Sequence, residues 1–259
     1  MGEDLTEKRN LKILVAYEGT RYEGFQRQRS DQLTIQGVIE AAIEKITGEI
    51  VTIAGAGRTD SGVHARGQVV SFFSATKIPD GKLLQALNCV LPKDILVRKV
   101  EEVDPGFHAR FSAKSKTYTY RIFYGELRPL FDRNFVFYYK HSLKGELINK
   151  CLEFIVGEHD FASFQAAGSG VKTTVRTVNY CKMEQESSEL RLTINANGFL
   201  YHMVRNIIGT LILVGAERLT LTEFRKVFDL KDRNAAGKTA PAWGLCLEEV
   251  FYKLTTATS

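Results

Sequence analysis

One short segment of the chain, AGAGRTDSGVHARGQVVSF at residues 54–72, concentrates side chains that could do chemistry. Asp60 lies two residues after Arg58 and four before His64, among glycines that permit tight turns and close backbone approach. A carboxylate beside a guanidinium is favoured in its charged form, which suits a nucleophile or an ion-pair anchor better than a general acid. The structural alternative is an aspartate that caps a turn in a glycine-rich hairpin.

Closely spaced glycines also suggest a phosphate-binding loop, but neither common pattern fits this chain. A dinucleotide-binding G-x-G-x-x-G pattern could begin at Gly55 and Gly57, yet Asp60 occupies its third glycine position. A P-loop could end at Gly237, but Asp232 stands where its first glycine is required. The five histidines and four cysteines show no metal-ligand spacing, so we expect neither a metal nor a cofactor.

The elements that must position these side chains are predicted to form two similar halves. In residues 1–111 the hydrophobic periodicity predicts, in order, the strand LKILVAYEG, the helix TIQGVIEAAIEKITG, the strands IVTIAGA and QVVSFFS, the helix DGKLLQALNCVL and the strand ILVRKVEEV. This β-α-β-β-α-β order is that of a ferredoxin-like unit. The first half therefore carries Asp60 on the loop between its second and third strands.

Residues 112–259 are predicted to repeat this pattern. They contain, in order, the strands KTYTYRIFYG and NFVFYYK, the helix KGELINKCLEFIVG, a hairpin of VRTVNYCKMEQ and ELRLTINANGF across ESS, the helices YHMVRNIIGTLILVGAERL and TLTEFRKVFDL, and the strand GLCLEEVFYKL. We therefore predict an α+β fold of two ferredoxin-like halves, with antiparallel sheets joined around a central positively charged cleft.

The charge of the chain is unevenly distributed. Its 259 residues carry a net charge of +5, with 15 basic and 15 acidic side chains in residues 1–111 and 20 and 15 in the remainder. Cations alternate with aromatic residues in RYEGFQRQR and KSKTYTYR, which is typical of surfaces that bind a polyanion with stackable bases. A solvated surface is the alternative.

The charged start is not a secretory signal and the longest apolar run is too short to span a bilayer, so we expect a cytoplasmic protein without a membrane partner.

The segment GRTDSGVHA resembles the signature of the tRNA pseudouridine synthase I (TruA) family. Further blocks resemble that family in the same order, namely YEGTRYEGFQRQ, TYTYRI, HDFASF, VRTV, GFLYHMVRNIIG and APAWGLCLEEV, so the resemblance extends from Tyr17 to Val250. Ser61 stands where the family has alanine, a change that a turn should accommodate. The loop ELRPLFDRN at 126–134 has no clear counterpart.

The resemblance implies a uridine isomerase that acts on the tRNA anticodon stem-loop, at tRNA positions 38, 39 and 40. Uracil is detached from C1′ of its ribose, turned and rejoined through C5, which needs no metal and no redox cofactor. Because a uridine in a stem is stacked, the base must be flipped out before a side chain can reach it. The resemblance also implies a homodimer.

The resemblance makes Asp60 the essential carboxylate, which could attack the sugar or the base or take a ribose proton. Arg205 should pair with Asp60 and hold that carboxylate ionised. The alternative is that Arg205 is a surface residue of an amphipathic helix. Tyr118 should stack on the target base and could help to remove the C5 proton. Tyr120 points the same way along the strand, and one of the two tyrosines could serve only core packing.

Basic side chains are predicted to contact the RNA backbone, where they would set register and orientation. Arg58 is a candidate wedge or phosphate clamp for the position that the base leaves. His64 would either contact a phosphate or brace the loop. The other candidate phosphate contacts are Arg21, Arg27, Arg29, Arg66 and Lys114.

Two other function classes are compatible with the predicted fold. A non-catalytic RNA-binding protein of two RRM-like units should carry an aromatic-rich K/R-G-F/Y-G/A-F-V-x-F/Y strand, and GQVVSFF is the nearest segment. A ferredoxin-like metabolic enzyme or regulatory domain would not need the basic and aromatic loops. Asp60 discriminates among these classes, because replacing it by alanine in a pure binder should leave RNA affinity and function intact.

Overall fold

A computed structural model describes residues 8–28, 32–168 and 170–252. The chain is α+β, with mostly antiparallel strand pairing and five α-helices among these residues. It divides into two compact units, of which the second is Lys114–Cys246. The first unit contains the described residues up to Ala113 together with those from Leu247 onward. Residues 247–252, which the sequence places in the second half, thus belong to the first unit, because their strand pairs there.

The first unit follows the predicted element order. Its elements are β1 (Arg9–Tyr17), α1 (Ile35–Thr47), β2 (Ala54–Gly55), β3 (His64–Ser74), α2 (Asp80–Val90) and β4 (Ile95–Val103). The strand order is β4-β1-β3, β2 pairs with β3, and all of these pairs are antiparallel. Of the segment IVTIAGA, which is predicted to be a strand, only the two residues of β2 (Ala54–Gly55) form one.

Helix α1 begins and ends where the sequence predicts. The side chain of Thr34 accepts a hydrogen bond from the backbone N–H of Gly37, so it caps the first turn. Gly48 ends the helix in the left-handed region, at φ +74°, where glycine has no steric penalty. The apolar face that this helix buries consists of Ile35, Ile39, Ala42 and Ile43.

The second unit contains a four-stranded order β5-β9-β8-β7, with β6 paired in parallel to β5. Its elements are β5 (Ser115–Tyr124), β6 (Phe137–Tyr139), α3 (Gly145–Ile155), β7 (Gly157–Asp160), β8 (Val175–Glu186), β9 (Glu189–Ala196), α4 (Met203–Gly215), α5 (Leu221–Leu230) and the start of β10 (Leu245–Phe251). The remainder of β10 lies beside β3 in the first unit.

The predicted elements of this unit are present, with one additional strand and several changed bounds. The strand predicted as NFVFYYK is limited to Phe137–Tyr139, and α4 ends at Gly215 instead of Leu219. The hairpin of β8 and β9 turns at Ser187, as predicted. Strand β7 was not predicted because its sequence, GEHD, contains no β-branched or aromatic residue. Helix α4 begins at Met203 rather than at Tyr201, because His202 has a positive φ of 59° that no helix can contain. Within the described part of the chain, no helix has the length and apolarity needed to cross a bilayer.

Candidate active site

Residues 56–63, which we call the Asp60 loop, connect β2 to β3 in the first unit. The backbone carbonyl of Asp60 accepts a hydrogen bond of 3.1 Å from the N–H of Val63, which closes a turn around the carboxylate residue. Gly62 lies inside this turn at φ +78°, a conformation that favours glycine. Asp60 is half-buried, whereas Arg58 is exposed. The turn therefore holds the carboxylate at the surface of the unit without releasing it fully into solvent.

Residues 18–25, which we call the bracing segment, hold the Asp60 loop through backbone hydrogen bonds. The N–H of Phe25 donates to the carbonyl of Thr59 at 3.0 Å. The carbonyl of Tyr22 accepts from the N–H of Gly62 at 3.3 Å. The two most motif-rich blocks of the sequence, YEGTRYEGFQRQ and GRTDSGVHA, thus form one local structure.

Close approach of these two segments explains their glycines better than phosphate binding does. Gly24 has φ +90°, and a Cβ there would lie 2.7 Å from the carbonyl oxygen of Thr59. At Gly19 a Cβ would lie 2.0 Å from the carbonyl oxygen of Val63. Real Cβ atoms do not approach backbone so closely, so any larger residue must push the Asp60 loop away.

A buried polar network lies under the Asp60 loop, and the sequence did not predict it. The hydroxyl of Tyr17, at the end of β1, is 2.8 Å from Oγ1 of Thr59. Nε2 of Gln68, on β3, donates to the carbonyl of Gly57 at 2.9 Å and lies 3.5 Å from the Tyr17 hydroxyl. Both strands carry several other polar residues, so nothing in the sequence singles out Tyr17 and Gln68.

His64 is buried at the start of β3. Its Nδ1 accepts a hydrogen bond of 3.0 Å from the backbone N–H of Gly19, in the bracing segment. Of the two roles predicted for this residue, a buried ring engaged with the backbone favours the brace over the phosphate contact.

The other predicted phosphate contacts share exposure to solvent, as far as the structure describes them. Exposed side chains are found at Arg21, Arg27, Arg58, Arg66 and Lys114. Three of these have a carboxylate nearby, in the pairs Arg21–Asp94 at 3.4 Å, Arg27–Glu40 at 3.1 Å and Arg66–Glu248 at 3.7 Å. In each pair the arginine side chain is exposed and the carboxylate is largely buried, so the guanidinium stays accessible to a phosphate. Arg29 lies outside the described residues.

In the second unit, Arg205 is fixed to the chain segment that precedes β10. Its Nε donates to the carbonyl of Ala240 at 2.8 Å, and the N–H of Ala240 donates to the carbonyl of Arg205 at 3.0 Å. The next residue, Asn206, is fully buried and accepts hydrogen bonds from Arg233 at 2.9 Å and Thr239 at 2.7 Å. These bonds keep the half-buried guanidinium of Arg205 in one orientation.

The two tyrosines of β5 differ in their surroundings, although both are buried. Tyr120 is 1% exposed and its hydroxyl donates to the carbonyl of Pro241 at 2.8 Å. Burial raises the pKa of Tyr120, an effect that the nearby Arg205 guanidinium partly offsets. Tyr118 is 6% exposed and its ring packs edge-on against Phe199, with centroids 5.0 Å apart. The packing role predicted for one of the two tyrosines therefore fits Tyr120.

Comparison with known proteins assigns these residues to a family. The family model described as tRNA pseudouridine synthase matches residues 13–112 and 153–253. The chain belongs to the tRNA pseudouridine synthase family. As a pseudouridine synthase, it is an enzyme of the isomerase class.

Individual relatives agree with this assignment over most of their length. The chain is 43% identical to tRNA pseudouridine synthase A of Clostridium kluyveri over 94% of this chain and 100% of the relative. It is 45% identical to the protein of the same name from Caldicellulosiruptor saccharolyticus, with the same coverage. A solved Cbf5-Nop10-Gar1 complex covers 91% of this chain and 57% of that chain with 14% identity and a TM-score of 0.37, which is too low to support an argument.

The two segments matched to the pseudouridine synthase family include Asp60 and Arg205. Tyr118 and Lys114 lie between those segments. In the part of the chain that the structure describes, no three His, Cys, Asp or Glu side chains come together as a metal-binding group.

Proposed function

We propose that this pseudouridine synthase isomerises uridines in the anticodon stem-loop of tRNA, at positions 38, 39 and 40, and that Asp60 is its essential carboxylate. The tRNA substrate follows from relatives that are named tRNA pseudouridine synthase A over their whole length. The observation that carries the role of Asp60 is its place on a loop held by the bracing segment and left half-exposed. A reacting group needs this combination of fixed position and access.

The reaction breaks the bond between uracil N1 and ribose C1′ and forms a bond between C5 and C1′. The hydrogen on C5 is then lost as a proton, and N1 takes up a proton, so atoms balance without an oxidant or reductant. Asp60 could act on the sugar or on the base, and each route needs an ionised oxygen. The pairing of Asp60 with Arg205 stays a prediction, supported by the hydrogen bonds that orient Arg205.

A flipped uridine leaves a gap in the stem, which we expect Arg58 to fill or to clamp at a phosphate. Arg58 is exposed and lies two residues from Asp60. Inserting this side chain would offset part of the unstacking cost of a few kcal/mol. Arg21, Arg27, Arg66 and Lys114 are exposed and would bind the RNA backbone, and we retain Arg29 in this set from the sequence.

We assign base stacking, and assistance in removing the C5 proton, to Tyr118. Tyr120 is engaged with Pro241 and we give it a packing role. In Tyr118→Phe the ring is retained and the hydroxyl is lost, so substantial loss of activity would indicate a proton-transfer role. The matched variant Tyr120→Phe should change stability by about 1 kcal/mol with little change in rate.

The architecture that we propose is two ferredoxin-like halves, 1–111 and 112–259, except that the described residues from Leu247 onward join the first, with a central positively charged cleft. The strand order β4-β1-β3 with β2 on β3, and the helices α1 and α2, support this for the first half. The excess of basic residues in the second half supports the cleft. We also propose that the protein is cytoplasmic and forms a homodimer, and light scattering on the purified protein tests the dimer.

A tritium-release assay tests the function and the role of Asp60 together. Transfer RNA that carries uridine labelled at C5 is incubated with the protein and no added cofactor. We expect the wild type to release label to water and Asp60→Asn to release none while still binding tRNA. Asp104→Asn is the matched control, because Asp104 is exposed in the same unit and its acceptor contact with Gly106 can be kept by asparagine.

Each outcome of this assay has one meaning. Release that persists in Asp60→Asn rejects Asp60 as the essential carboxylate. No release by the wild type from unmodified tRNA would favour the non-catalytic RNA-binding alternative and reject the proposed activity. Release of label from tRNA that is labelled only outside the anticodon stem-loop would reject that stem-loop as the site of modification.

A further inference from the structure

We propose that the buried network of Tyr17, Thr59 and Gln68 is a positioning device for Asp60. This inference rests on the proposed catalytic role of Asp60. The Tyr17 hydroxyl lies 2.8 Å from Oγ1 of Thr59, the residue that precedes Asp60. The Gln68 side chain donates to the carbonyl of Gly57 at 2.9 Å. The network thus holds the chain at Gly57 and Thr59.

The burial of these three side chains argues that their polar atoms have a purpose beyond packing. Gln68 is 0%, Tyr17 5% and Thr59 6% exposed. Phenylalanine, valine and methionine have similar shapes and carry no polar atoms, so packing alone does not require a hydroxyl or an amide here. A buried polar group is tolerated when it is hydrogen-bonded, and a complete network rigidifies the structure around it.

The network and the bracing segment restrain the same peptide from two directions. The side chain of Thr59 is held by Tyr17, and its carbonyl accepts from the N–H of Phe25 at 3.0 Å. With both groups fixed, the backbone that leads into Asp60 has little freedom to rotate. A shift of about 1 Å in a reacting group can lower the rate on the order of 100-fold.

A β-bulge places the network at the end of the strands. In the pairing of β1 with β3, Val15 is opposite Gln68, whereas Tyr17 is opposite Ala65. Two residues of β3, Arg66 and Gly67, thus lie opposite the single residue Ala16 of β1. Bulges of this kind redirect side chains near active sites. At Gly67 a Cβ would lie 2.2 Å from the carbonyl oxygen of Glu248, so the bulge itself is closely packed.

The test separates positioning from folding by comparing the rate of the chemical step with stability. The variants are Tyr17→Phe, Thr59→Val and the double variant, with Thr59→Ser as the conservative replacement. Leu83→Ala, in the buried face of α2, is the control that destabilises the same unit without touching the network. The measurements are kcat and KM from tritium release on labelled tRNA, thermal unfolding, and amide hydrogen exchange across the Asp60 loop.

We expect kcat to fall about tenfold in each single variant while KM stays within twofold, and amides of the Asp60 loop to exchange faster. The double variant should lose much less than the product of the single losses, because the hydroxyls are partners in one interaction. Thr59→Ser should recover most of the rate lost in Thr59→Val. Leu83→Ala should lower the melting temperature and leave kcat of the folded enzyme unchanged.

Wild-type kcat in stably folded Tyr17→Phe and Thr59→Val would overturn the inference. It would also be overturned if Leu83→Ala, at a similar loss of stability, lowered kcat as much as these variants do. If Asp60→Asn is inactive in the same experiment, the proposed function stands and only the positioning role fails. If Asp60→Asn is active, the proposed role of Asp60 has failed, and with it the reason to position that residue.

Discussion

The backbone N–H of Gly19 donates a 3.0 Å hydrogen bond to Nδ1 of the buried His64. This bond ties the bracing segment to the first residue of β3, directly after the Asp60 loop. An imidazole nitrogen that accepts a hydrogen bond carries no proton, so this bond places the ring proton of His64 on Nε2. The relationship gives His64 a structural role that can be tested apart from RNA binding.

We expect His64→Asn to preserve more stability than His64→Leu, because the asparagine Oδ1 can take the place of Nδ1 as acceptor. Leucine leaves the Gly19 N–H buried without its partner, which costs about 1–3 kcal/mol of unfolding free energy. Urea denaturation of the two variants measures the difference. The tRNA affinity should keep its dependence on salt in both, and a shallower dependence would restore His64 as a phosphate contact.

Gly24→Ala should reduce both stability and activity. The substitution strains a backbone at φ +90° and drives a Cβ to within 2.7 Å of the Thr59 carbonyl, which must displace the Asp60 loop. Gly48→Ala is the matched control, since its φ is +74° but nothing lies within 4 Å of the added atom. We expect the control to lose about 1 kcal/mol of stability and no activity. Equal kcat in the two variants would show that the contact at Thr59 does not matter.

Arg58→Ala should weaken tRNA binding and make it less sensitive to salt. A side chain that neutralises one phosphate contributes about 0.7–0.9 to the slope of log affinity against log salt concentration. Fluorescence anisotropy with labelled tRNA between low and moderate salt measures this slope. Lys45→Ala, an exposed cation in the last turn of α1, should leave the slope unchanged. An unchanged slope in Arg58→Ala would argue for a wedge that touches no phosphate.

The ion pair of Arg121 with Glu189 predicts an acid-sensitive contribution to stability. Nε and Nη2 of Arg121 donate to the two carboxylate oxygens at 2.6 and 2.8 Å, and these bonds lower the pKa of Glu189 below its ordinary value of 4.5. A lowered pKa in the folded state means that the stabilisation is complete above the ordinary pKa and is lost as the pH falls through the folded value.

Glu189→Gln should therefore lower the unfolding free energy at pH 7 by about 1 kcal/mol, a figure reduced for the partial exposure of the pair. It should also flatten the decline in stability below pH 4.5. Denaturant unfolding at several pH values measures both effects. Glu126→Gln, an exposed carboxylate in the same unit, should do neither. A decline as steep in Glu189→Gln as in the wild type would assign the acid sensitivity to other groups.

Local sequence was sufficient for most of the elements. Thr34 and Gly48 marked the two ends of α1 because capping and a left-handed C-terminal glycine depend on neighbouring backbone only. The sequence predicts a longer β2 than the two residues observed. β-Branched residues favour an extended backbone, whether or not a partner strand lies beside it. The sequence pattern assigns the final strand to the second half, because its pairing with β3 is a long-range event that no local pattern records.

The amino-acid sequence by itself determined the family, the candidate carboxylate at Asp60 and the alternation of strands and helices, since motif spacing and hydrophobic period are properties of the chain. Only the tertiary structure decided that His64 braces a backbone N–H, that Tyr120 is engaged with Pro241, and that a hidden network lies under Thr59. These facts depend on which distant segments meet. A side chain's partners and burial arise from packing between elements that are distant in the chain, and local sequence patterns do not predict that packing.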